Sequence, residues 1–251
     1  MRKTAGQFLI FTFCIMLLCW GTCLLCSRFG YYLSNMPLLY VPFLAGGFSP
    51  TIASWLVWKK QNPSGRFKEW LAIIFDFHHN LFSYLLLPGL AALFFFTLCR
   101  FSGYKSGAPF FAIIFMIPMM LFGGGLEEAG WRGILFPELE SRFGYTPATI
   151  YIASIWWFWH LPLFFIPGVS QYGTDFIVFG INVFGLSFAL SAIKKVTGST
   201  WLCVLFHCAI NSLHGVYLVG ESRIGSLAAA AALIAASYVV VGIQKKKGIF
   251  T

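Results

Sequence analysis

Eight apolar runs, each about as long as a bilayer's hydrocarbon core is thick, decide the fold class of this chain before any motif is read. They cover residues 8–26, 36–58, 81–99, 109–126, 147–165, 176–193, 199–217 and 226–243. About 20 helical residues cross a hydrocarbon core. Backbone in lipid must satisfy its own hydrogen bonds, so each run is a helix unless strands close a barrel. Barrel strands alternate in polarity, and runs such as 8–18 do not. Composition agrees: 59% of the 251 residues are hydrophobic and 10% charged, where a soluble domain carries roughly 25% charged residues. The expected fold is all-α, a polytopic transmembrane helix bundle of about eight spans. Residues 1–251 form a single integral membrane domain, with its motifs between about 109 and 217.

Charge sets the orientation. With the first run entering from the cytoplasm, Arg2, Lys3, Lys59, Lys60, Arg66, Lys68, Arg132, Arg142, Lys194, Lys195, Lys245, Lys246 and Lys247 fall inside. Arg28, Arg100, Lys105 and Arg223 fall outside. That asymmetry predicts both termini in the cytoplasm, and the short loops suit a prokaryotic cytoplasmic membrane. The net charge of +9 is thus a topology signal. Nucleic-acid binding would need a water-exposed basic domain, and there is none to be read here.

The first run has a basic start but no small-x-small site after its apolar part, so it is read as a retained span and not a signal peptide. Cys23 and Cys26 sit in it with C-x-x-C spacing, but in a lipid-facing helix they behave as small apolar residues. Gly46, Gly47 and Pro50 predict a kinked second span packed closely on its neighbours. Alanines over 227–236 allow close helix contact, with the bundle or with a second copy; the sequence leaves the oligomeric state open. Asp76, His78 and His79 before the third span are read as an interfacial polar collar, although acid and imidazole are also common metal ligands.

Glu127 and Glu128 close the fourth apolar run, and this chain has only eight acidic residues. A carboxylate at the edge of lipid costs several kcal/mol or more. Adjacent helical positions point about 100° apart, so the two acids cannot share one task. Glu128 and Arg132 are spaced i, i+4 and can pair. That leaves Glu127 without a local cation and free to act as a general base. Gly123, Gly124 and Gly125 just before it allow a bend or a close approach of substrate. Alone, such a cluster is also an ordinary juxtamembrane one. His160, among tryptophans, fits an aromatic belt, but it lies deep in its run, where ionisable groups usually face the bundle interior. His207 and Asn211 share one helix face with His214, as interhelical hydrogen-bonding residues would.

Taken together, E127-E-A-G-W-R132, W156-W-F-W-H160 and H207-C-A-I-N211 resemble the CAAX protease and bacteriocin-processing (Abi) family of membrane endopeptidases. That family shows Glu-Glu-x-x-x-Arg, aromatic-x-x-x-His and His-x-x-x-Asn in this order. Its aromatic is usually Phe; here it is Trp156, expected to pack and do no chemistry. The resemblance implies a membrane-embedded endopeptidase on a helical bundle, with a membrane-anchored or prenylated polypeptide as substrate. It implies that Glu127 and His160 activate a water, that His207 and Asn211 stabilise the oxyanion, and that Glu128 and Arg132 support the site or engage substrate. No cofactor is expected. The competing zinc reading would use Glu127, His160 and His207 as ligands. A competing function is a non-catalytic bacteriocin-immunity or scaffolding protein that keeps the site residues. Reading the fourth span as ending at 126 puts Glu127 near the cytoplasmic edge, far in depth from His160, and opens the site toward the cytoplasm and lipid.

Overall fold

The computed structural model describes residues 2–250, without the side chains of Arg2, Lys3 and Lys247. The helices run α1 (Arg2–Arg28), α2 (Tyr40–Gly47), α3 (Ser49–Gln61), α4 (Phe67–Ile74), α5 (Leu81–Ser102), α6 (Ile113–Met120), α7 (Glu128–Gly130), α8 (Phe136–Phe143), α9 (Tyr145–Trp159), α10 (Phe176–Thr197), α11 (Thr200–Val216) and α12 (Arg223–Lys247). The all-α, polytopic bundle expected from the apolar runs is what the chain forms. Among the described residues, five helices are long and apolar enough to cross a membrane, or up to seven spans if each of two bent pairs counts as one; α11 is apolar but shorter.

Local chemistry explains where helices start. Asn80, Asp175, Ser199 and Ser222 each accept a hydrogen bond from a backbone N–H of the first turn that follows them, satisfying donors that the helix itself cannot. The second span breaks at Phe48 with a bend of 51°, as Gly46, Gly47 and Pro50 led one to expect. The contact is as close as a glycine permits: a Cβ at Gly46 would lie 2.3 Å from the Trp20 indole nitrogen, which donates to the Phe43 carbonyl at 2.9 Å. The alanine-rich α12 packs on α10, where a Cβ at Gly185 would sit 2.7 Å from the Ala230 backbone. Removing that one methyl lets two membrane helices touch.

Two features depart from the sequence expectation. The fourth span does not end at 126. It breaks between Met120 and Gly125 and resumes over Gly125–Phe143 with a bend of 44°. Gly124 adopts φ 133°, which side-chain-bearing residues rarely reach, so the glycine run is the hinge. Second, two short strands, β1 (Tyr104–Ser106) and β2 (Tyr217–Val219), pair antiparallel with Lys105 opposite Leu218, joining the ends of α5 and α11.

The bundle therefore has two distinct ends. At one, Gln61 bonds Thr4, Glu138 accepts from the Ala5 backbone, Lys195 pairs with Glu140, and Asn80 reaches the Ile249 carbonyl. At the other lie β1, β2 and the Asp175–Arg223 pair at 3.2 Å.

Candidate active site

The break in the fourth span delivers both glutamates to mid-bundle. A 3-10 turn (Gly125–Glu127) leads into α7 and then a π-helical turn (Trp131–Leu135), a feature that often marks functional sites. This segment is wedged from behind. Thr51 Oγ1 on α3 donates to the Leu126 carbonyl at 2.8 Å, and a Cβ at Gly130 would meet the Phe8 ring and the Pro50 carbonyl at 2.6 Å. Trp131 packs edge-on to Phe8 and Trp159.

Glu128 is fully buried and pairs with Arg132 at 3.1 Å, the i, i+4 contact foreseen from spacing. It has a second partner that spacing could not reveal: His207 Nδ1, from α11, lies 2.9 Å from Glu128 Oε1. The equally buried Arg132 donates to Ser187 Oγ on α10 at 2.6 Å, and its guanidinium lies 5.0 Å from the centroid of the Trp156 ring. One buried ion pair thus ties α7, the π-turn, α10 and α11 together. Breaking such a pair costs far more than an exposed one because the survivor is left charged and dry.

Glu127 faces another way. Its Oε2 accepts the Trp156 indole N–H at 2.9 Å. The His160 ring donates from Nδ1 to the Trp156 carbonyl at 2.8 Å, which leaves Nε2 as the acceptor of the neutral imidazole. The rings of Trp159 and Phe179 hold His160 edge-to-face at 4.7 and 4.9 Å.

Trp156 is the residue that sequence reasoning underrated. Expected to pack only, it hydrogen-bonds Glu127, receives His160, lies over Arg132, and stands 5.4 Å from the His207 ring. A signal was present: the spacing to His160 is four, which sets the Trp156 carbonyl beside the later side chain, and tryptophan brings an N–H that phenylalanine lacks.

Glu127, Trp156, His160, His207 and Asn211 all line one cavity of ≈ 730 Å³. Gly124 forms part of its wall. A Cβ there would lie 2.8 Å from Asn211 Nδ2 and 3.0 Å from His207 Nε2, so the bare glycine keeps open the space that both nitrogens face. Asn211 Nδ2 also donates to the Gly123 carbonyl at 3.0 Å, which fixes the amide's orientation and leaves its second N–H. His214 lines the same cavity beside Phe95.

The depth problem disappears with the longer fourth span: Glu127 and His160 line the same cavity. Much of the lining comes from the strand-end parts of its helices, with Trp20 on α1, Leu98 on α5, His160 after α9, Phe179 on α10 and Asn211 on α11, and it reaches mid-bundle at Leu190 and His207. The site lies away from the end that carries Lys59, Arg66, Lys194 and Lys245, because the fourth span carries its glutamates in its middle.

The Asp76 cluster lies elsewhere. Asp76 is 3.5 Å from His78 and 3.7 Å from His79 in an open loop. Among the described residues, no group of three or more His, Cys, Asp or Glu side chains is arranged to hold a metal ion. Cys23 and Cys26 are free thiols.

Comparison with known proteins matches residues 109–213 to a family described as type II CAAX prenyl endopeptidase Rce1-like. The chain is also similar to the CAAX prenyl protease 2 of Methanococcus maripaludis, 31% identical over 120 residues. That stretch is 43% of this chain and 42% of the relative, so the likeness spans less than half of each. The matched segment contains the fourth-span break, Trp156, His160, His207 and Asn211.

Proposed function

We propose that this chain, whose residues 109–213 belong to the CAAX protease and bacteriocin-processing family, is an intramembrane endopeptidase that hydrolyses a peptide bond of a membrane-anchored or lipidated polypeptide. The observation that carries the reading is convergence: Glu127 from the fourth-span turn, His160 from the end of α9, and His207 and Asn211 from α11 line one cavity. The family likeness supports proteolysis as the chemistry.

In this reading a water sits between Glu127 and His160. Glu127 removes its proton as the oxygen attacks the scissile carbonyl, with His160 Nε2 accepting the water's second hydrogen bond. Proton transfer of this kind contributes about 10²–10⁴-fold. The carbonyl oxygen, now an oxyanion, takes the space beside Gly124 and receives N–H bonds from Asn211 Nδ2 and His207 Nε2. Each such donor contributes about 10²–10³-fold. Donation from Nε2 while Nδ1 is held by Glu128 requires both ring nitrogens protonated; Glu128 already pairs with Arg132, so the Glu127 carboxylate offsets that charge before attack and the oxyanion offsets it after. The proton held by Glu127 passes to the amine nitrogen as the C–N bond breaks. Glu128, Arg132 and Ser187 act through His207 as positioning residues, and Trp156 acts through Glu127 and His160.

No cofactor enters this scheme. A zinc site would draw on Glu127, His160 and His207; both histidines commit Nδ1, to the Trp156 carbonyl and to Glu128, and keep Nε2, an arrangement that metal-bound histidines share. Equal zinc content in the wild type and a His160→Ala, His207→Ala double mutant supports the metal-free scheme; stoichiometric zinc lost in the double mutant restores the metal site.

The test is cleavage of a mixed library of membrane-anchored peptides by purified protein beside Glu127→Gln, which keeps size and removes the base. Cleavage by the wild type alone is the expected result. Cleavage by both removes Glu127 from the chemistry, and cleavage by neither favours a binding-only immunity protein.

A further inference from the structure

The cavity has a direction, and the basic residues give that direction a biological side. The charged loops sort cleanly between the two ends of the bundle. Lys59, Lys60, Arg66, Lys68, Arg142, Lys194, Lys195, Lys245 and Lys246 flank helix ends away from the strands, and Arg2, Lys3 and Lys247 extend the same helices at that end. Arg28, Arg100, Lys105 and Arg223 flank the strand end. Arg132, which sequence counting places among the loop charges, is buried in the site and drops out. The remaining asymmetry is twelve against four. Basic residues in short loops stay on the cytoplasmic side.

At the strand end the cavity has a polar rim. Gln171, Thr174 and Asp175 from the segment before α10, with Gly220 and Glu221 from the segment after β2, form its rim. The rim is polar and held together: the Asp175 backbone N–H donates to Glu221 Oε1 at 3.2 Å, and Arg223 pairs with Asp175. Such a rim meets water, not acyl chains. Two hydrogen bonds to the chain across the strand ends, from Gly107 to Val216 and from Gly220 to Gly103, tie the segment after β2 to the segment before α6, which leads to the Gly124 hinge.

We infer that this cavity opens to the non-cytoplasmic face of the membrane, and that its substrate is a polypeptide segment displayed on that side, anchored in or emerging from the outer leaflet. The word substrate rests on the proteolytic reading above; the sidedness does not. The inference reverses the face that a site at the edge of the fourth apolar run implies. A peptide held in the cytoplasm would have to cross the packed half of the bundle, where Trp55, Trp58, Phe67 and Trp70 stack on one another, to reach Glu127.

The test reads sidedness without any need for cleavage. In a cysteine-free background, Gln171→Cys and, as a second rim position, Thr174→Cys are exposed in intact cells to a membrane-impermeant maleimide. Asn62→Cys and Lys246→Cys mark the basic end. The expected result is full labelling of both rim positions in intact cells, with Asn62→Cys and Lys246→Cys labelled only after permeabilisation. The reverse pattern overturns the inference while leaving the protease reading intact. The expected labelling together with no peptide cleavage upholds the sidedness and defeats the protease reading, so the two fail separately.

Discussion

Two clusters in this molecule have the same ingredients, one carboxylate with two imidazoles close by. Asp76, His78 and His79 stand within four residues of one another; Glu127, His160 and His207 are spread over eighty. The near cluster is the looser one. Its contacts are 3.5 and 3.7 Å, and the His78 side chain is 97% exposed. In the distant cluster each group is at most 8% exposed, and each has a partner drawn from another part of the fold or from its own helix backbone. Proximity in sequence places the three side chains on one loop, where Asp76 and His78 meet water while His79 turns inward. Separation in sequence forces the groups to be carried on rigid helices, and packing then fixes their geometry. Catalysis needs the second condition.

The comparison can be broken most severely at its centre. Glu127→Gln is expected to lower cleavage about 10²–10⁴-fold, and adding His160→Ala to it to cost little more, since groups acting as a unit are not additive; steady-state rates of the two variants decide this. Glu128→Ala leaves the buried Arg132 unpaired. It should cost about 3–5 kcal/mol of stability, read as a fall in unfolding midpoint in detergent, with Glu128→Gln partly restoring it. Gly124→Ala should lower kcat about 10²-fold, the loss of one oxyanion donor, with little change in KM. A normal kcat in that variant would falsify the use of the space beside Gly124.

Trp156→Phe sharpens the comparison, because it keeps the ring over Arg132 and removes only the N–H to Glu127. Losing a hydrogen bond to a charged group is expected to cost about 10-fold in kcat, while Trp156→Ala should also destabilise the fold. The smallest effect belongs to the other cluster. Asp76→Asn should leave cleavage unchanged. The backbone N–H of His78, more than the nearby imidazoles, holds the Asp76 carboxyl below its ordinary value of 3.8. A carboxylate with a lowered value stabilises the fold above its unfolded value and loses that contribution as pH falls through the folded one. The stability of wild type and Asp76→Asn should therefore run parallel across neutral pH and converge only in acid. Divergence between pH 6 and 8 would mark the collar as more than a collar.

Much of this was legible in the residues. Glu128–Arg132 pairing, the common face of His207 and Asn211, the kink at Gly46 and Gly47 and the intimacy of the alanine-rich α12 all follow from periodicity within one helix, which a linear sequence encodes. The contacts that cross between helices were not legible. The link from Glu128 to His207 spans 79 positions and that from Arg132 to Ser187 spans 55. Trp156 Nε1 reaches Glu127 across 29. Spacing along one helix says nothing about which helix lies opposite.

By itself, the sequence determined that the chain is a bundle of apolar helices, which end of that bundle is basic, and which polar side chains interrupt the apolar runs. These depend on composition and helical period, both properties of the chain taken a few turns at a time. Only the tertiary structure decided that the fourth span breaks at Gly124 and continues to Phe143, that Trp156 holds Glu127, and that the cavity carries its polar rim at the end away from the basic loops. A backbone break and a meeting of side chains on different helices are decided by what packs around them. In this bundle the neighbours that decide lie tens of residues away.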